Sequence, residues 1–246
     1  MSNFEHERKT QLCRNSEDET LQASAHVFMQ DTIEARYSYN FDWLGRPIIQ
    51  YPQDIVAMQE LIFRIQPDLI IETGIAHGGS LILSASILEL VALCGGPADA
   101  RVIGIDIDIR AHNRQAIEAH PMMKRIEMME GSSVDPGIVD EVRSRAAAAE
   151  RVLVCLDSNH THEHVVAELE AYAPLVTQGS YCVVFDTVIE NMPADMFPDR
   201  PWGPGNNAMT AVDAYLATHP EFEIDAEMDH KLLISVAPRG YLKRIR

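Results

Sequence analysis

Asp68-Leu69-Ile70-Ile71-Glu72-Thr73-Gly74-Ile75-Ala76-His77-Gly78-Gly79-Ser80 decides the fold of this chain. An apolar, β-branched run ends in an acid. Glycines follow at 74, 78 and 79, and a second apolar run begins after Ser80. That order predicts a buried parallel strand, a tight turn and a helix N-terminus. Glycine lets a ligand approach the backbone, and the helix end offers free N–H groups. The next strand, Val102-Ile103-Gly104-Ile105-Asp106, ends in another acid, placed to take ribose hydroxyls. The two segments together predict a nucleoside-type cofactor at the carboxyl edge of an α/β sheet.

The loop differs from two common nucleotide loops. It is not G-x-G-x-x-G, because residue 76 is Ala, and no Lys follows Gly79 as a phosphate loop requires. An acid directly before the glycines repels a pyrophosphate but suits a cation such as a sulfonium or an amino group. The predicted cradle is Glu72, Gly74, His77, Gly79, Ser80 and Asp106. Ser132 and Ser133 follow the third strand, where an adenine amine would bind, unless they only cap the next helix.

Outward from this unit, strands and helices alternate. Asp54 reads as the N-cap of a helix carrying Ile55, Met58, Leu61, Ile62 and Ile65 at helical spacing, and Pro67 ends it. Strands are predicted at 69–72, 102–106, 125–129, 152–156 and 181–185. Helices are predicted at 80–94, 110–119, 136–149, 163–173 and 208–218. Two last strands, 222–227 and 231–237, would join through a turn at Asp229-His230. Alternation implies a parallel sheet with helices on both faces, and the closing pair is too tightly connected to be parallel. The expected architecture is α/β: a seven-stranded, mostly parallel sheet with a C-terminal antiparallel hairpin, as in Rossmann-like class I methyltransferases. Residues 41–246 form this domain and 1–40 a polar N-terminal arm, flexible or packed as a helix on a partner subunit. Residues 40–53 mix aromatics with turn formers and could line a pocket entrance.

Composition narrows the partners. A chain of 246 residues, 46% hydrophobic, suffices for one large domain. No apolar run reaches the ~18–20 residues that span a bilayer. A net charge of −17 opposes nucleic acid or an anionic membrane as partner, since phosphate binding needs clustered Lys and Arg. Cys13, Cys94, Cys155 and Cys182 show no close pairing, which fits a reducing, cytoplasmic setting.

A second constellation ends the fourth strand: Leu156-Asp157-Ser158-Asn159-His160-Thr161-His162-Glu163-His164. The fifth strand ends in Asp186-Thr187. Carboxylates on neighbouring strand tips can hold a hard cation such as Mg²⁺, which lowers the pKa of a bound hydroxyl. His160, three residues after Asp157, is placed to remove the proton. His162 and His164 fall on the first turn of a predicted helix. Neither His160 nor His162 has an acid two residues on, which opposes a two-histidine, one-carboxylate iron site. The loop from Glu190 to Asn207 is long, and it carries Phe197 and Trp202. That makes it a lid over an acceptor, with those rings stacking on a sugar, or a loop anchored by them to the core.

These segments resemble the cephalosporin hydroxylase family, whose characterised members are S-adenosylmethionine-dependent methyltransferases despite the name. The resemblance covers residues 40–246. It is carried by Ile70 to Gly74 through Gly79-Ser80, Val102 to Asp106, Leu156-Asp157 with His160, Arg200-Pro201-Trp202-Gly203-Pro204-Gly205-Asn206-Asn207, and Leu232 to Pro238 with Gly240 to Arg244. It implies S-adenosylmethionine, often Mg²⁺, and O-methylation of a sugar or natural-product hydroxyl, frequently in a homo-oligomer. The site is also similar to catechol-type metal-dependent methyltransferases. That similarity implies metal ligands at Asp157, Asp186 and Thr187, a base at His160, and an Asp157 that also faces the cofactor. Thr187 departs from the Asn of those enzymes. The residues leave two other readings open, an NAD-dependent oxidoreductase on the same layout and a cofactor-binding scaffold whose site has decayed.

Overall fold

A computed structural model describes residues 2–246. Seven strands form the main sheet: β3 (Leu69–Thr73), β4 (Arg101–Asp106), β5 (Ile126–Glu130), β6 (Val152–Leu156), β7 (Tyr181–Val184), β8 (Phe222–Ile224) and β9 (Tyr241–Arg244). They run in the order β5-β4-β3-β6-β7-β9-β8. The first five are parallel, and β9 runs antiparallel to both β7 and β8. The Rossmann-like arrangement expected of the sequence is the one found. A second, two-stranded sheet pairs β1 (Phe41–Trp43) with β2 (Arg46–Ile48).

Alternation along the strands divides the core. Ile70, Val102, Leu153, Cys155 and Val183 pack on one face, beneath α3 (Pro52–Ile65), α4 (Gly79–Leu93) and α5 (Ala111–Glu118). Leu69, Ile71, Ile103, Val154 and Val184 pack on the other, beneath α6 (Pro136–Ala146), α7 (His162–Tyr172) and α8 (Ala208–Leu216). Strands covered on both faces need no polar side, so their sequences are near-continuous apolar runs. Ile70 and Ile71 are fully buried, each contributing on the order of 1.5–3 kcal/mol.

The polar N-terminal segment is helical. α1 (Asn3–Glu17) buries no residue, and Lys9 reaches Glu227 at 3.2 Å. α2 (Glu19–Glu34) buries Ala25 and Met29, and its Thr32 hydroxyl meets that of Tyr51 at 2.8 Å. Among the described residues no helix is long and apolar enough to cross a membrane.

Two sequence expectations are corrected. The apolar run at 231–237 is not a strand. Asp225 caps a helix, α9 (Ala226–Leu232), through the Glu227 amide, where a turn was expected, and the closing strand is Tyr241–Arg244. Residues 233–240 cross beneath α3 instead, tied there by Asp54. Asp54 is not an N-cap either. Pro52 starts α3 with Tyr51 at the cap position, which leaves Asp54 facing the interior. Its buried carboxylate accepts hydrogen bonds from the Ser235 hydroxyl (2.6 Å), the Val236 amide (3.0 Å) and the Tyr241 hydroxyl (3.0 Å). Burial pushes Asp54 up to about 6, against the pull of these three donors.

Candidate active site

Four adjacent strands, β4, β3, β6 and β7, bring their carboxyl ends to one edge. The strand order reverses around β3, whose neighbours are β4 and β6, and such switch points open the crevice where α/β sheets bind ligands. Backbone bonds lock the tips together. The Gly74 amide donates to Ile105 (2.8 Å), the Asp157 amide to Thr73 (2.9 Å) and the Phe185 amide to Leu156 (3.0 Å).

The glycine turn is shaped by close approach. Gly74 has φ +91°, and a Cβ on it would lie 2.1 Å from the Asp157 carbonyl oxygen. A Cβ on Gly79 would lie 2.2 Å from the Pro47 carbonyl, so the β2 segment packs directly on the N-terminus of α4. Arg46 donates to the His77 carbonyl from Nε (2.9 Å) and to Asn113 Oδ1 from Nη2 (2.9 Å). Asn113 Nδ2 in turn holds the Ala76 carbonyl at 2.9 Å. Arg46 lies in the segment expected at a pocket entrance, whereas no sequence signal marked Asn113; both act through the backbone of the turn.

Glu72 lies under this turn, 3% exposed. The Ser80 hydroxyl donates to one of its oxygens, and that of Ser84 reaches the other at 3.5 Å. Burial pushes Glu72 up to about 7, partly offset by these hydroxyls. Asp106 faces the same turn. Its Oδ2 accepts from the amides of Ile75 (2.8 Å) and Ala76 (3.2 Å), and its Oδ1 from Asp108 (3.1 Å). Ser133 turns inward to His164 Nε2 at 3.1 Å, whereas Ser132 is half-buried at the loop surface. Pro47, Gly74, His77, Gly79, Ser80 and Asp157 border a cleft of about 350 Å³.

Beside the cleft stands a group of three. One ligand atom each from Asp157, His160 and Asp186 lies within 4.8 Å of the others. His160 Nε2 is 2.9 Å from Asp186 Oδ2. Burial opposes charge on His160, but the carboxylates of Asp186 and Asp157 outweigh it and push the imidazole up to about 9. Burial, and then the negative charge of Asp186, hold the Asp157 carboxyl well above the usual range. Asp186 sits at φ +57°, a left-handed backbone that Asp tolerates better than most residues.

That conformation turns the next residue inward. Thr187 is fully buried, and its hydroxyl donates to the Pro238 carbonyl at 2.7 Å. The hydroxyl expected to supply a third metal ligand is thus engaged with a backbone carbonyl. The remaining histidines do not join the group either. His162 Nδ1 meets the Thr210 hydroxyl at 2.8 Å, and His164 Nε2 lies between the hydroxyls of Ser133 (3.1 Å) and Ser158 (3.2 Å).

The long loop closes over His160. Trp202 meets the His160 ring edge-on, with centroids 4.9 Å apart, and the Arg200 guanidinium lies 5.2 Å over the indole. Glu190 holds the loop by accepting from the Gly205 amide (2.7 Å) and Asn207 Nδ2 (2.5 Å). Asn206 Oδ1 accepts the His162 amide at 3.0 Å, which joins the loop to the start of α7. Phe197 packs with Met196 against the core.

Comparison with known proteins points to one family. The family model Rhamnosyl O-methyltransferase/CmcI matches residues 35–245. A rhamnosyl O-methyltransferase of Mycobacterium tuberculosis (strain ATCC 25618 / H37Rv) is 32% identical over 193 residues, 78% of this chain and 73% of its own. Among solved structures, CmcI with magnesium and S-adenosylmethionine aligns with a TM-score of 0.58 at 20% identity, over 85% of this chain and 78% of that one. MycE of the mycinamycin pathway, with Mg, S-adenosylhomocysteine (SAH) and mycinamycin VI, aligns with a TM-score of 0.51 at 16% identity, over 89% of this chain and 54% of that one. At such identities the structural likeness speaks for the fold. The sequence match speaks for more: this chain belongs to the rhamnosyl O-methyltransferase/CmcI family.

Proposed function

We propose that the protein transfers a methyl group from S-adenosylmethionine to a hydroxyl of a sugar, a deoxysugar of the rhamnose kind being the first acceptor to test. One observation carries this reading: the glycine turn and the Asp157–His160–Asp186 group meet at one sheet edge, with Asp157 touching both.

The residues fit such a cofactor. The Gly74 and Gly79 contacts leave a cleft bordered by bare backbone and the N-terminus of α4. Two carboxyls at or beside it, half-buried Asp157 and buried Glu72, favour a cationic ligand there. When bound, S-adenosylmethionine supplies a sulfonium methyl group as electrophile. The two carboxylates at 157 and 186 also fit Mg²⁺, which accepts a few protein oxygens and keeps several waters. Held there, Mg²⁺ would supply positive charge favouring the neutral imidazole and the ionised hydroxyl.

The chain's own groups do the rest. Asp157 and Asp186 direct the acceptor hydroxyl. His160 Nε2 would take its proton as the oxygen forms its bond to the methyl carbon and the S–CH₃ bond breaks, releasing S-adenosylhomocysteine, and general-base assistance of this kind is worth about 10²–10⁴ in rate. Trp202 fixes the His160 ring by its edge contact and keeps water from that side, and Arg200 holds Trp202. Much of the acceleration comes from holding hydroxyl and methyl in line. The exposed apolar side chains of Phe4, Val27 and Phe28 on α1 and α2 favour assembly with further copies of the chain, to be checked by light scattering.

The test is incubation with methyl-deuterated S-adenosylmethionine, Mg²⁺ and rhamnosyl glycosides, read by mass spectrometry. The expected product carries one labelled methyl group on a sugar oxygen. Absence of label from every hydroxyl acceptor, with binding of NAD in place of S-adenosylmethionine, would refute the reading.

A further inference from the structure

We propose that Gln50 is a specificity-determining residue that receives the α-ammonium group of the cofactor's amino-acid end. The inference rests on the methyltransferase reading above and extends it to a residue outside the glycine turn.

Gln50 lies between β2 and α3 and is 6% exposed. Its Nε2 reaches Asp157 Oδ2 at 3.4 Å. Its Oε1 is buried with no hydrogen-bond partner among the described residues. An acceptor left unpaired in a buried site is costly, and a ligand donor relieves that cost.

The position identifies the donor. Gln50 borders the cleft together with Gly74, Ser80 and Asp157, and it also lines a small adjoining space with Glu72 and Asp54. The walls of the cleft are closely packed, since a Cβ on Gly79 would lie 2.2 Å from the Pro47 carbonyl. Besides His77 and Cys155, the ionisable groups that line these spaces with Gln50 are all acids, Asp157, Glu72 and Asp54. A ligand carboxylate or phosphate at this point would be repelled by them, whereas an ammonium would be attracted. The bond from Nε2 to Asp157 fixes the amide at the edge of the cleft, so one side chain both meets the acid and carries a buried, unpaired acceptor beside it. An ammonium brings three donors, enough for Gln50 Oε1 and Asp157 together. The cofactor's own carboxylate has its counterpart at the N-terminus of α4, where free amides and the dipole favour a negative group.

The experiment is a two-by-two cycle by calorimetry. Wild type and Gln50→Met are each titrated with SAH and with an analogue lacking only the α-amino group. Methionine keeps the length of the side chain and removes both polar atoms. The expected result is an SAH affinity about tenfold or more lower in Gln50→Met, with affinity for the des-amino analogue changed less than about twofold. Equal loss for both ligands, or loss for neither, overturns the assignment, since a merely structural residue or one satisfied by water does not distinguish them. If thermal melting shows Gln50→Met unfolded, Gln50→Asn, which withdraws the amide by one methylene, is put through the same cycle. Wild-type protein that binds neither ligand would contradict the methyltransferase reading itself, an outcome separate from either result for Gln50.

Discussion

His160 Nε2 lies 2.9 Å from Asp186 Oδ2, so the residue proposed to take the acceptor's proton is paired with a carboxylate from the neighbouring strand tip. Through His160, which meets Asp186 on one side and Trp202 on the other, the long loop is joined to the sheet edge. The pair also makes His160 separable from cofactor binding, because its contacts are Asp186 and Trp202 and not the glycine turn. His160→Ala is expected to lower kcat by about 10²–10⁴ with SAH affinity held within about twofold. Steady-state rates and calorimetry on one preparation check this. Unchanged turnover would remove the assignment as base.

The same pair predicts a titration. Without metal, His160 keeps its proton up to about pH 9. A dication on Asp157 and Asp186 neutralises the charges that hold that proton and repels the imidazolium. Imidazole NMR signals should therefore place its midpoint near 9 in metal-free protein and at least one unit lower with saturating Mg²⁺. An identical midpoint in both samples would argue against metal at these carboxylates.

Gly74→Ala should be destabilising on two counts. The new Cβ would lie 2.1 Å from the Asp157 carbonyl, and φ is +91°. Left-handed backbone alone costs an Ala about 1–2 kcal/mol, and the clash requires the β3 and β6 tips to part. A loss of about 2–4 kcal/mol in urea unfolding is expected, with weaker binding of SAH. Stability within 0.5 kcal/mol of wild type would show that the turn has room the geometry denies (threshold of order the usual surface effect).

Glu72 sets a pH dependence. Its carboxyl titrates at about 7 in the fold against an ordinary 4.5. Below 4.5 both folded and unfolded chains hold the proton. Between 4.5 and 7 the unfolded chain releases it and the folded one keeps it, so stability falls as pH rises. The contribution totals about 3 kcal/mol, complete above pH 7. Glu72→Gln should remove most of that slope in denaturation curves taken from pH 5 to 8. Parallel curves for the two proteins would contradict the ionisation assigned to Glu72.

Much of this was legible in the sequence, for reasons that differ by element. Strands at 69–73, 101–106 and 152–156 are buried on both faces, and only apolar runs survive there. Their terminal acids, Glu72, Asp106 and Asp157, could be placed at one edge because parallel strands end together. The closing strand was misread because apolarity reports burial and not pairing. Leu232 to Ala237 is largely buried as helix end and loop, whereas Tyr241–Arg244 pairs with β7 and β8 while carrying Lys243 and Arg244. Thr187 shows a different limit. Its hydroxyl is buried and donates to the Pro238 carbonyl, 51 positions away, and adjacency to Asp186 in sequence does not record that. Arg46 and Gln50 fall in the 40–53 segment expected at a pocket entrance, but their individual roles and that of Asn113 gave no signal because each acts through a contact more than 30 positions away.

The most direct measurement is a calorimetric titration of the purified protein with S-adenosylmethionine, run with and without Mg²⁺ and repeated for Asp157→Ala. The account predicts saturable binding to wild type, a separate Mg²⁺ signal, and loss of that signal with weakened cofactor binding in Asp157→Ala. No heat with S-adenosylmethionine, and saturable binding of NAD in its place, would contradict it.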